Sequence, residues 1–159
     1  MNPANLLRSF ALSTAAALLL PATGVAQTAT IVGTGCHGMS LVTDELPDVT
    51  TAPFNFQVSG IPTGSILNMI WWSFASTGVG IDLGMIGAPG CQTFLAGPML
   101  YAINWTPVGT TDTFPSSAPW VYNTNGWINL YSTWQAVSLV PGINQSGIVT
   151  SNMVDLVGG

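Results

Sequence analysis

Glycine and proline divide this chain so finely that few windows remain in which a helix could form. Beyond residue 46 they recur at Pro47, Pro53, Gly60-Ile61-Pro62, Gly87-Ala88-Pro89-Gly90, Gly97-Pro98, Pro107, Pro115, Pro119 and Pro141-Gly142. Proline removes a backbone donor and glycine loosens the backbone, so both punctuate regular structure. The intervals between them are rich in β-branched and aromatic residues, which favour strands. Phe54, Phe56 and Val58 alternate with Asn55, Gln57 and Ser59, the period-two pattern of a half-buried strand. The run 65–75 (SILNMIWWSFA) is the most apolar and suits a central strand covered on both faces. Residues 99–106 alternate again, with Leu100, Ala102 and Asn104 on one side and Tyr101, Ile103 and Trp105 on the other.

Asn125-Gly126 is a tight-turn signal, because both residues tolerate positive φ. Tyr122 before it and residues 127–131 after it form the predicted arms of a hairpin, and 148–156 is the predicted last strand. Many short strands with regular turns and no helical spacers imply an all-β chain: one antiparallel β-sandwich, Ig-like or jelly-roll-like. It spans residues 27–159 as a single domain, with no internal repeat and no interdomain linker.

Residues 1–26 have the three parts of a secretion signal. Arg8 supplies the positive start, 10–20 (FALSTAAALLL) the apolar stretch, and Gly24-Val25-Ala26 the small residues before a cut preceding Gln27. A membrane-spanning helix needs about 20 apolar residues, more than this run provides. No second long apolar run follows, so the exported chain is expected to be secreted without a membrane span.

Removing that segment also removes Arg8, the one lysine or arginine in the sequence. Asp44, Glu45, Asp48, Asp82, Asp112 and Asp155 then face a single histidine, His37. Phosphate neutralisation relies on Lys and Arg, so nucleic acid and anionic lipid are poor partners for this chain. Charged residues make up 4% of the sequence, against about 25% in a typical domain. The 48% hydrophobic content still supplies a core, so low charge does not signal disorder here.

Two cysteines remain after export, Cys36 and Cys91, and an even count in an exported chain favours a disulfide over two buried free thiols. Zinc is a poor fit, because one His and two Cys lack the close spacing of zinc ligands.

Catalytic signatures are sparse. His37 lies near Ser40 and Asp44, but no GxSxG elbow exists, and a turn histidine is the plainer reading. Glu45 could pair with Asp82, Asp112 or Asp155 for glycoside cleavage, though solvated carboxylates that keep a nearly neutral chain soluble are the plainer reading. Asp82 is expected to order the turn into Leu83-Gly84 through its side-chain acceptor. Asp44, Glu45 and Asp48 form the densest acidic cluster and a candidate calcium site, since hard oxygen ligands suit that ion. Trp120 and Trp127 sit near predicted loop tips. With Asn123, Asn125 and Asn129 they could stack on and hydrogen-bond a sugar.

Three segments carry a resemblance: Gly33-Thr34-Gly35-Cys36, the run 82–91 (DLGMIGAPGC), and the ending 147–158 with Ser151-Asn152. Together they resemble a group of functionally uncharacterised secreted bacterial modules with a GTGC start, a DLGxxGxPGC centre and an SN-containing last strand. The resemblance covers residues 31–158. It implies export, a β-sandwich and both cysteines as framework positions, and it carries no catalytic residues. Residues 110–125 depart from that pattern, being more irregular and aromatic.

The sequence therefore points to a non-enzymatic structural or assembly domain of the cell exterior, partnered by itself or by other exterior proteins. The alternative is a carbohydrate-binding module that meets polysaccharide through its loop tryptophans.

Overall fold

The computed structural model describes residues 28–44, 55–105, 109–115 and 131–157. Ten strands form there: β1 (Thr28–Val32), β2 (Ser40–Thr43), β3 (Asn55–Ser59), β4 (Leu67–Ser73), β5 (Ser76–Asp82), β6 (Gln92–Leu95), β7 (Met99–Asn104), β8 (Thr111–Pro115), β9 (Tyr131–Leu139) and β10 (Ile148–Val157). All their pairings are antiparallel. The all-β expectation holds, and the alternation around Phe56 and Val58 does become β3, with both residues buried.

A five-stranded sheet in the order β1-β10-β9-β4-β7 is the spine of the molecule. A three-stranded sheet, β2-β3-β8, covers one face. Phe56 of β3 meets Trp134 of β9 there, with ring centroids 4.5 Å apart. Trp72 stacks on the same indole at 5.7 Å, and Tyr101 meets it edge-on at 5.0 Å. Ile70, Ala136, Val154 and Leu156 complete this apolar layer. The β5–β6 hairpin lies across the opposite face, where Gln135 bonds to the β6 backbone.

This double cover determines which strand is innermost. The run 65–75 forms β4, in which Asn68, Ile70 and Trp72 are buried while Met69 and Trp71 are half-buried. The strand sealed along both faces is instead β9, where residues 132–138 are all buried. Trp71 and Trp72 point to opposite faces, as adjacent strand residues must.

In β7 the simple alternation fails. Its register against β4 slips between Ile70 and Trp71, leaving Tyr101 without an opposite residue. Such a bulge adds one residue and re-aims its neighbours. Tyr101 thereby joins Ala102 against the core instead of sharing a side with Ile103 and Trp105. Among the described residues no helix is long and apolar enough to cross a membrane.

Candidate functional site

The three segments that carry the resemblance meet in one place. Cys36, in a short turn after β1, is joined to Cys91 at the start of β6, with the Cα atoms 4.9 Å apart. This bridge ties the hairpin to the spine across a sequence separation of 55 residues. In the chain-entropy view, closing such a loop stabilises the fold by about 4 kcal/mol. Gly35, just before it, has no room for a side chain: a Cβ there would collide with the Met39 carbonyl and press on the Ser151 backbone. Gly33 likewise yields its side-chain space to the ring of Phe94.

The final strand supplies the other half of this junction. Its register against β9 shifts between Thr150 and Met153, so Ser151 and Asn152 form a bulge. Ser151 Oγ fills the gap by accepting from Ala136 N–H at 2.9 Å. Thr150 Oγ1 accepts from Gln92 N–H at 3.2 Å and donates to the Gln92 carbonyl at 2.8 Å. Gln135 Nε2 donates to both Gln92 and Ser151 carbonyls at 2.8 Å, and its Oε1 accepts from Phe94 N–H at 3.3 Å. On the other face, Asn152 reaches β2 with two 2.8 Å bonds to the Leu41 backbone. Side-chain amides and hydroxyls thus tie all three sheets together.

The central DLGMIGAPGC run folds as expected around Asp82. Its carboxylate accepts from Gly84 N–H at 2.8 Å and opens a short 3-10 turn over Leu83–Ile86. Gly87 ends that turn at φ 84°, in the left-handed region that favours glycine. Ala88 packs into the core beside Cys91.

The other described carboxylates also rest on neutral donors. Asp112 on β8 accepts from Asn68 Nδ2 at 3.0 Å, Asn104 Nδ2 at 2.8 Å and Thr113 N–H at 2.9 Å. Asn68 is 1% exposed, and its Oδ1 accepts from Ser138 at 2.5 Å and Ser65 at 3.1 Å. Asp44 is held by Asn55 through both oxygens, at 2.6 and 2.7 Å. A cation at Asp44 would compete with those bonds. Glu45 and Asp48, the rest of the candidate calcium cluster, lie outside the described residues. Among the described residues, no three His, Cys, Asp or Glu side chains gather to hold a metal ion.

Asp155 differs from these three. Its Oδ1 is buried without a hydrogen-bond partner. Burial pushes the carboxyl above the usual aspartate range, and a hydrogen bond from the Tyr131 hydroxyl partly offsets the rise. Burial also raises the Tyr131 phenol, with Asp155 adding to the rise and a bond to Ser76 opposing it.

His37 sits exposed in its turn at φ 53°. Ser40 Oγ bonds Ser59 Oγ at 2.7 Å, so the neighbouring serine and Asp44 are both engaged elsewhere. The sugar-contacting set of Trp120, Asn123, Asn125, Trp127 and Asn129 lies outside the described residues. Within them, Trp105 is the exposed indole, at 69%. Exposed aliphatic side chains gather along the hairpin instead: Val79, Ile81, Met85 and Ile86, with Met85 fully exposed.

These features define a disulfide-stapled, all-antiparallel β protein whose buried polar groups are satisfied almost wholly by neutral partners. No protein-family model matches the chain, and comparison with curated proteins and with solved structures finds no significant match.

Proposed function

We propose that this chain is a secreted, non-enzymatic structural or assembly domain of the cell exterior, whose partner is another copy of itself or a neighbouring exterior protein. The observation that carries this reading is the apolar hairpin surface of Val79, Ile81, Met85 and Ile86. Exposed aliphatic groups along one element favour association over solvation. With no lysine in the chain and Arg8 its one arginine, recognition of acidic partners through ion pairs is unavailable after loss of residues 1–26. The edge strand β1 adds to this: its sequence TATIV carries no charge and no proline, the usual guards against edge-to-edge pairing. The export signal and the resemblance to secreted modules support the placement outside the cell.

Sedimentation over a range of concentrations tests the proposal. Association that rises with concentration, and that weakens in a Val79→Ser, Met85→Ser double variant, is expected. A stable monomer at high concentration would refute it.

The exposed Trp105 supports a second reading, a carbohydrate-binding module, because an open indole can stack on the apolar face of a sugar ring. Fluorescence quenching by a polysaccharide would favour that reading, and silence across a broad glycan panel would remove it.

A further inference from the structure

We propose that Met85 is an oxidation-controlled contact, whose thioether governs association through the apolar hairpin surface. The inference rests on the assembly reading above and names the group that regulates it. Apart from Met1, the fold grades the methionines sharply. Met39 and Met153 are 1% exposed, Met69 is half-buried and Met99 is 42% exposed, whereas Met85 is 100% exposed. Met85 stands in the 3-10 turn Leu83–Ile86, whose backbone is tied from several sides. Leu83 N–H donates to the Cys91 carbonyl at 2.9 Å, and Ala88 N–H to the Leu83 carbonyl at 3.1 Å. Ser146 N–H donates to the Gly87 carbonyl at 3.2 Å, linking the turn to the loop before β10. Leu83 packs on the core and Cys91 is bridged to Cys36, so the turn is anchored beneath Met85. An apolar side chain presented on a fixed backbone has little ordering left to lose when a partner covers it.

The chemistry needs a peroxide and nothing else. The thioether sulfur takes one oxygen atom as the peroxide O–O bond breaks and the S–O bond forms. Sulfur is oxidised to the sulfoxide, the peroxide is reduced, and water leaves. Both cysteines are already joined, so no free thiol competes for the oxidant. The product is a polar acceptor where an apolar side chain stood, and burying it without a donor is costly. A second copy presenting Val79, Ile81 and Ile86 offers no side-chain donor to meet it. Oxidation therefore favours the free chain. Association, in turn, shields the sulfur from the oxidant.

Hydrogen peroxide added to the full exported chain tests this, with peptic peptides weighed over time and association read by sedimentation. In dilute solution Met85 is expected to gain oxygen several-fold faster than Met99, and that lead should shrink at concentrations where the chain associates. The chain oxidised at Met85 should associate several-fold more weakly, and a methionine sulfoxide reductase should restore it. Met85→Leu keeps an apolar side chain without sulfur, so it should associate equally before and after peroxide. Unchanged association of the native chain once Met85 is oxidised would overturn the proposal and leave the assembly reading standing. Weakened association of peroxide-treated Met85→Leu would overturn it too, as would oxidation of Met99 ahead of Met85. A native chain that stays monomeric before any peroxide is added refutes the assembly surface itself, and this control with it.

Discussion

The carboxamide of Asn152 closes both backbone groups of Leu41, accepting from its N–H and donating to its carbonyl at 2.8 Å each. One side chain from β10 thereby acts as a strand partner for a residue of β2 in the facing sheet. Leu41 is fully buried, so water cannot easily replace these bonds. Its backbone would otherwise carry two unmatched polar groups into the core. An unmatched buried group costs about 1–3 kcal/mol. We expect Asn152→Ala to destabilise the fold by roughly 2–4 kcal/mol on this basis, read as a lower denaturation midpoint. Asn152→Asp should rescue little, because a carboxylate accepts from the N–H but cannot donate to the carbonyl.

Asp112 and Asn68 clip the same two sheets at the β8 side. Replacing Asp112 by alanine leaves the buried Asn68 amide without one of its acceptors. A loss of about 1–3 kcal/mol is expected in chemical denaturation. Asp112→Asn should lose less, since a carboxamide oxygen still accepts.

Reduction of Cys36–Cys91 should lower stability by about 4 kcal/mol in the chain-entropy view. Intact mass after alkylation checks the state of the bridge: no alkyl groups are expected without reductant and two with it.

At Gly35 the constraint is steric. Gly35→Ala places a methyl group against the Met39 carbonyl, which is backbone and cannot swing aside. Poor yield or a much lower melting temperature is expected. Gly90→Ala meets nothing within 4 Å, but its φ of 78° strains any side chain, so a milder loss should follow.

Stability should also depend on pH through Asp155. Its folded value is raised, so the folded chain holds the proton more tightly than the unfolded chain does. The resulting stabilisation is complete below the ordinary aspartate pKa and is lost as pH rises through the folded value. Denaturation midpoints should thus fall across that window in the native chain. Asp155→Asn should flatten the fall.

Features that depend on neighbours in the chain could be read directly. The alternation of Phe56 and Val58 gave β3, the run 148–156 gave β10, and Asp82 orders its turn as its position suggested. Each follows from a local rule: period-two burial, β-branched content, or an acceptor two residues before a free N–H. By contrast, β9 escaped notice because Ser132, Thr133, Gln135 and Ser138 look like surface residues. The partners of Thr133, Gln135 and Ser138 lie on β4, β6 and β10 or at their ends, far away in the chain, and Ser132 accepts from the Trp134 indole of its own strand. Ser76–Asp82 was hidden in the same way, since the glycines of STGVGID suggest a loop. The bulge at Tyr101 depends on pairing with β4, which alternation within β7 cannot reveal.

Composition and punctuation alone determined that the described residues would be built from strands, that the chain would be short of positive charge, and that its two cysteines could cross-link. The fold alone decided which polar residues would be interior, because burial of an amide or carboxyl is set by the strands that cover it. The same holds for Asp155: it is an ordinary aspartate in the sequence, and its carboxyl loses part of its hydration only where β1 and β9 flank it on either side.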